Sequence, residues 1–363
     1  MNILVIGNGF DLAHDLKTSY KNFLEYCVER NSKRQIGLVN YGTTFIDNIW
    51  LRHFIIRKQE LGNTWIDLEE EIYNVIETVT KAIYNLSGGG IERIFPLMFS
   101  IPKDVIDFDF SNICDYLETA YKNHTVEDKG YADVEFNDFS KLYTYIESYY
   151  GLINYLYDKL REFTKEFENY LNENICSSST ISSKYLLSLK TSNLYVLSFN
   201  YTDVCEVLYQ YNCNISHQNL RMTPIYIHGK ATKNDNCDLV LGTHSFKNIA
   251  IPVSFNVFKK HNQRHKYGTI ETYQEFLRIV MQPNIRPIFH VVGHSLDKTD
   301  HNILKHAFVA NKNAVINIYY HNEEAQERLI NNITEIIGEE EVMTKVRMIY
   351  QHDKKRGILI PKE

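Results

Sequence analysis

The first fifteen residues, MNILVIGNGFDLAHD, constrain the rest of the chain most. Residues 2–6, NILVI, form a short apolar run rich in β-branched side chains, the pattern of a strand buried on both faces of a parallel sheet. Gly7-Asn8-Gly9 breaks the run. Leu12, Leu16, Tyr20, Phe23, Leu24 and Cys27 follow at helical spacing, so one helix is expected after the turn. A strand, a glycine turn and a helix N-terminus together make an anion site, because bare backbone admits a phosphate and unbonded N–H groups favour its charge. Gly7 and Gly9 fit the first two glycines of a pyrophosphate turn. Leu12 stands where a third would be, and Asp11 adds a carboxylate that repels phosphate. A tight turn whose Asp11 caps the helix accounts for the same residues.

A chain of 363 residues can bury a large core and make about two domains. Its net charge of −6 argues against a general nucleic-acid coat, though not against a local basic site. The 26 tyrosines and 19 phenylalanines, beside only 2 tryptophans, read as amphipathic core and interface filler rather than a stacking platform. No two of the 6 cysteines are spaced C-x-x-C, so no metal is expected, and scattered thiols suit a reducing compartment. The N-terminus lacks a basic leader region, and no window approaches the ~18 apolar residues of a membrane span. A cytoplasmic protein without a membrane partner is expected.

Downstream, NTWIDLEEEIYNVIETVTKAI (63–83) carries a helical stripe of Ile66, Ile72, Val75, Ile76, Val79 and Ile83. Asp67, Glu69 and Glu70 crowd its start, either as dipole-favourable charges on a solvated face or with one carboxylate reaching into a site. Ser87-Gly88-Gly89-Gly90 is a breaker, and 122–130 reads as a loop. From Phe139 to Leu171 apolar residues recur at three and four, giving one long helix or two broken near Gly151, closed by the polar linker 176–183. Strand patterns resume at LYVLSF (194–199), 225–227, 239–241, IFHVVG (288–293), VINIYY (315–320) and VRMIY (346–350), with helices between the later ones. The expected fold is α/β: a doubly wound, Rossmann-like parallel sheet built from 1–30 and 184–363, with a largely helical insertion at 31–183.

In such a sheet ligands bind beyond the C-terminal strand ends. Gly-Asn-Gly-Phe-Asp follows the first strand, Asn200-Tyr201-Thr202-Asp203 the second, His228-Gly229 the third, and His294-Ser295-Leu296-Asp297, then Asp300, the strand 288–293. Each group has a plain reading: an Asx turn and N-cap for Asn200 and Asp203, a turn histidine for His228, and helix caps for Ser295 and Asp297. Capping alone does not ask for His, Asn and two Asp-bearing turns on one rim. The basic run FKKHNQRHKYG (258–268) is either a solvated loop or a lid whose Lys259, Lys260, Arg264 and Lys266 meet phosphates.

IGNGFDLAHDLKTSYKNFL at the start and TWIDLEEEI after it resemble the bacteriophage abortive-infection AbiH family. SFNYTD, IHG and VGHSLDKTD fit that family in the same order, and more remotely resemble the sirtuin-like NAD-binding fold. That likeness implies NAD, as substrate, at the following residues. Gly7, Asn8 and Gly9, with Phe10 behind them, take the place of the pyrophosphate loop. Asn200 and Asp203 match the element beside the nicotinamide ribose. His228, followed by Gly229, matches the catalytic histidine. Gly293, His294, Ser295 and Asp300 match the late motif holding the adenosine ribose. The two C-x-x-C pairs of the sirtuin zinc module have no counterpart, so protein deacylation is not expected.

The resemblance implies an antiphage effector that hydrolyses the nicotinamide–ribose bond through an oxocarbenium-like transition state. Asp11 or Asp203 would stabilise the developing positive charge, Asn200 would orient a ribose hydroxyl or the attacking water, and His228 would act as base. Two other classes stay open. One is a nucleotide-sensing module without chemistry, signalling through the helical middle. The other is a defence protein acting on nucleic acid through the basic run, against which the net charge argues. A phage trigger is implied but not legible, and a toxic enzyme needs restraint at rest, for which a homo-oligomer is one route.

Overall fold

Strand β1 (Asn2–Ile6) lies in the middle of a six-stranded, all-parallel sheet. The computed structural model describes residues 1–35, 48–61, 67–86, 98–102, 145–175, 185–187, 193–208, 221–234, 236–244, 253–353 and 359–361. Trp65, Ile66, the glycine breaker, the 122–130 loop, the start of the 139–171 pattern and the 176–183 linker lie outside them. The chain forms two units, one of residues 1–19, 167–244 and 263–363, the other of 20–166 and 245–262. Their boundaries lie at 19/20, 166/167, 244/245 and 262/263.

The first unit is α/β. Helix α1 (Asn8–Ala13) follows β1. The other sheet strands are β5 (Asn193–Ser198), β6 (Arg221–Tyr226), β7 (Ile288–Val292), β8 (Val315–Tyr320) and β9 (Val346–Tyr350), in the order β6-β5-β1-β7-β8-β9. The chain thus builds outward from β1 on one side, then returns to place β7, β8 and β9 on the other. Pro224, which cannot donate to a ladder, sits in the edge strand β6.

Alternate residues of each strand face the same way. One face carries Ile3, Val5, Leu197, Ile225, Phe289, Val291, Ile316 and Ile318. Helices α7 (Thr269–Val280), α8 (His301–Val309) and α9 (Glu323–Ile337) cover it with Tyr273, Phe276, Leu304, Phe308, Leu329 and Ile333. Burying each such large side chain contributes about 1.5–3 kcal/mol. Asn322 caps α9, accepting from Ala325 N at 2.8 Å.

The other face is mixed. His290, in mid-β7, has Nδ1 3.0 Å from Tyr319 Oη and Nε2 3.2 Å from Asn2 Oδ1. Burial pushes its pKa down to about 4.

Two expectations fail. The apolar run 239–241 is not a strand: Leu241 N and O both bond the Gln263 amide, at 3.0 and 2.9 Å, instead of a ladder. The single helix expected after the glycine turn is two. Helix α1 ends at His14, Asp15 turns left-handed at φ 61°, and α2 (Tyr20–Gln35) begins anew, leaving Leu12 40% exposed.

The second unit is rich in helix: α2, α3 (Ile49–Leu61), α4 (Leu68–Leu86) and the earlier turns of α5 (Tyr149–Asn174), with the antiparallel pair β2 (Met98–Pro102) and β3 (Tyr145–Ser148); in the first unit β4 (Tyr185–Leu187) pairs antiparallel with β10 (Leu359–Pro361). Helix α5 runs through Gly151. Phe23 and Phe54 each pack edge to face on Phe163, Trp50 lies tilted against Phe54, and Trp50 Nε1 donates to Leu156 O at 2.8 Å. Asp67 caps α4, accepting from Glu69 N at 2.9 Å, and Ile72, Val75, Ile76 and Val79 are buried as the spacing predicts.

His290 generates a pH prediction. Above pH 6.5 neither state protonates it. As pH falls from 6.5 towards 4, the unfolded chain takes a proton that the folded chain refuses, so stability falls. Unfolding free energies of wild type and His290→Gln, compared across that range, should diverge in the variant's favour by on the order of 2–3 kcal/mol at the acid end.

Candidate functional site

Because the sheet is parallel, the C-terminal ends of β1, β5, β6 and β7 share one rim. Two of them touch through backbone. Gly9 N donates to Gly293 O at 2.8 Å. Gly293 has φ +64°, and a Cβ there would lie 2.1 Å from Phe10 N; one on Gly9 would lie 2.8 Å from Gly293 O. These glycines therefore serve a close approach of two protein turns. Asn8 Oδ1 accepts from Thr18 Oγ1 at 2.5 Å, and Phe10 is buried edge-on to His14.

Asp11 does not cap α1. Gly7 occupies the cap, and Asp11, 1% exposed, sits inside the helix. Its Oδ1 accepts from Asn200 Nδ2 at 2.9 Å and its Oδ2 from Thr202 Oγ1 at 2.6 Å. Burial pushes its pKa up to about 7; the Thr202 and Asn200 bonds oppose the rise and the charge of Asp203 adds to it. Asn200 is 4% exposed, and its Oδ1 has no hydrogen-bond partner among the described residues. The Cys205 thiol nearby is pushed up by burial and then by Asp11. Asp203 is half-buried, and its carbonyl accepts from Val207 N at 3.1 Å at the start of the helical turn 204–208.

His228 follows β6 and is 3% exposed, with Phe199 and Tyr201 rings 5.6 and 5.9 Å away. Its Nε2 lies 3.2 Å from Asp300 Oδ1. Its carbonyl accepts from Val240 N at 2.8 Å, which joins the non-strand segment 239–241 to the rim. Gly229 turns left-handed at φ +78°, where a Cβ would lie 2.6 Å from Asp238 O.

Asp300 is the hub of this half. Arg264, in α6 (Lys260–Lys266), places Nη2 3.2 Å from Oδ1, and His294 Nε2 lies 3.9 Å from Oδ2. His294 Nδ1 accepts from Leu296 N at 2.9 Å, so in the neutral ring the proton is on Nε2, facing Asp300. Ser295 is exposed and offers only its carbonyl, to Asn332 Nδ2 at 2.9 Å; Asp297 caps the turn at Lys298 N. Of the late motif, then, His294 and Asp300 join the cluster, Asp297 caps a turn, and Ser295 lies exposed.

The rim thus holds two buried polar groups: Asp11 with Asn200 and Thr202, and Asp300 with His228, Arg264 and His294. Thr202 was not among the sequence candidates, and Arg264 was one only as a lid cation meeting phosphates. Thr202 lies inside SFNYTD; Arg264 lies in the basic run, where composition does not separate an inward cation from solvated ones. Lys260 also turns inward, 1% exposed, and in the second unit meets Glu69 Oε1 at 2.5 Å, while Lys266 is exposed. A histidine held against a carboxylate and a second carboxyl with a shifted pKa give the rim two titratable centres in different surroundings, as acid–base chemistry requires. No cluster of His, Cys, Asp and Glu suited to a metal occurs among the described residues, and no described helix is long and apolar enough to cross a membrane.

The family model described as bacteriophage abortive infection AbiH matches residues 3–321. The match takes in every residue of both rim groups. No curated relative matches the chain.

Two predictions arise at the rim. Gly293→Ala should destabilise the protein by at least about 2 kcal/mol in urea unfolding, from left-handed strain and overlap with Phe10. For Asp11, whose folded pKa is raised, the retained proton favours folding below pH 3.8, and that advantage is lost as pH rises towards 7. Asp11→Asn keeps acceptor and donor groups but cannot ionise, so its melting temperature should gain on wild type between pH 4 and 7.5.

Proposed function

The chain belongs to the bacteriophage abortive-infection AbiH family, and we propose that it acts in that role by binding NAD or a related nucleotide and hydrolysing the nicotinamide–ribose bond. The observation that carries this reading is the buried polar cluster at the ends of β1, β5, β6 and β7. The strand order supports it: dinucleotide-binding sheets of doubly wound type share this order and bind ligand where it reverses, here between β1 and β7. A sirtuin-like comparison rests on the same residues. The glycine turn adds little, since it is used against Gly293, so the reading rests on side chains.

In the proposed reaction water attacks the ribose C1′, the C1′–N bond breaks, and its electron pair neutralises the pyridinium, which leaves as nicotinamide without needing a proton. His228 takes the proton of the attacking water on Nδ1, while Asp300 accepts from Nε2–H and fixes the ring. The unmatched Asn200 Oδ1 is an acceptor that a ribose hydroxyl or the attacking water would satisfy. Asp11, once ionised, stabilises the positive charge developing on the ribose, with Asp203 beside it. Asp300 is therefore reassigned from ribose contact to support of the histidine.

The test is incubation of the full chain with NAD, following nicotinamide by chromatography. Wild type should release it, and His228→Ala and Asn200→Ala, each confirmed folded by circular dichroism, should each lower the rate by about 10²–10⁴. Full turnover in both variants overturns the site assignment. NAD binding without product in any condition replaces hydrolysis with sensing, and steeply salt-dependent RNA or DNA binding with no NAD binding replaces both.

A further inference from the structure

The N–H groups that would make the first turn an anion site are spent inside the protein. Gly7 N donates to Val292 O at 3.4 Å, Gly9 N to Gly293 O at 2.8 Å and Phe10 N to Gly7 O at 2.9 Å. What this turn and the end of β5 offer instead is acceptors. Asp11 and Asp203 bring carboxyl groups. Asn200, 4% exposed, commits Nδ2 to Asp11 at 2.9 Å. That leaves Oδ1, the other arm of the same amide, as a buried acceptor with no hydrogen-bond partner among the described residues. A phosphate brings only acceptors and negative charge, so these groups repel it. A cation that also carries a hydroxyl donor satisfies them, the charge meeting the carboxylates and the hydroxyl meeting Asn200 Oδ1.

The surroundings of Asp11 point the same way. Burial raises its pKa, the neutral donors Thr202 and Asn200 lower it, and the charge of Asp203 raises it again, with no cation among these influences. Other titratable groups lie on the elements packed against it. The Cys205 thiol, after β5, is itself pushed up by Asp11; His14, on the same helix, packs on Phe10; His294, in the turn after β7, turns to Asp300. A buried carboxyl in such surroundings keeps its proton until an opposite charge arrives. We propose that Asp11, Asn200 and Asp203 form a subsite for the cationic end of the ligand, a ribose bearing a pyridinium, and that Asp11 releases its proton to solvent as the cation enters. The subsite deepens the nucleotide reading and rests on it for the ligand's identity. It selects by charge: the oxidised dinucleotide carries the pyridinium, whereas the reduced form has the same ribose, pyrophosphate and adenosine without the ring charge.

Calorimetry of the full chain tests this with carbocyclic NAD, in which a cyclopentane replaces the ribose ring, so that no oxocarbenium ion forms and no cleavage occurs, and with its reduced form. With Asp11 titrating near pH 7, the oxidised compound should bind about tenfold more tightly at pH 8 than at pH 6, and the reduced compound should bind about equally at both. At pH 6 each oxidised molecule bound should release close to one proton, read from the heats in buffers of different ionisation enthalpy. Asp11→Asn should abolish the proton release, the pH dependence and most of the preference for the oxidised compound. Equal binding of the two compounds by wild type, binding of the oxidised one without proton release at pH 6, or a preference unchanged in Asp11→Asn overturns the subsite and leaves nucleotide binding standing. Binding of neither compound at either pH overturns the nucleotide reading and the subsite with it.

Discussion

The contact of Gly9 with Gly293 is the constraint on which the rim depends. It joins the turns after β1 and β7, the neighbouring strands between which the chain reverses its direction of building. Only a residue without Cβ permits a backbone atom at 2.1 Å from that position. Asp11 lies two residues beyond one of these glycines and His294 directly beyond the other. Where the two turns touch thus sets where the members of both buried groups begin.

Burial then decides how each titratable side chain behaves. Removing a charge from water costs several kcal/mol, and the chain meets that cost in three ways. Asp11 holds its proton to about pH 7, and His290 refuses one down to about pH 4; both shifts come first from lost hydration, acting on charges of opposite sign. Asp300 stays beside Arg264, and Lys260 beside Glu69, as partners within their own units. Breaking such a buried pair costs about 3–5 kcal/mol, whereas a pair like Lys298–Glu335, 60% and 52% exposed, contributes about 1 kcal/mol at most. The buried pairs are therefore the ones that shape the rim.

Much of this was legible in the sequence. The runs NILVI, LYVLSF, IFHVV and VINIYY are strands because a strand covered on both faces needs apolar side chains at nearly every position, whereas VRMIY pairs at the sheet edge with only Ile349 buried. Asn200, Asp11 and Asp300 were legible because each follows such a run, and His228 because it follows the shorter run 225–227. The segment 239–241 has the same composition, yet the Gln263 amide satisfies Leu241 in place of a neighbouring strand. Spacing alone carried a helix through Asp15, where a left-handed residue ends it.

By itself, then, the sequence determined the strands, their parallel α/β class, the family and the residues at the strand ends, since alternation, apolarity and glycine breaks act between near neighbours. Only the tertiary structure decided which side chains meet. Asp11 finds Asn200 across 189 positions and Arg264 finds Asp300 across 36. An arginine or an aspartate has the same chemistry in a solvated loop as in a core until the fold removes its water and supplies a partner, and that removal sets both its charge and its role.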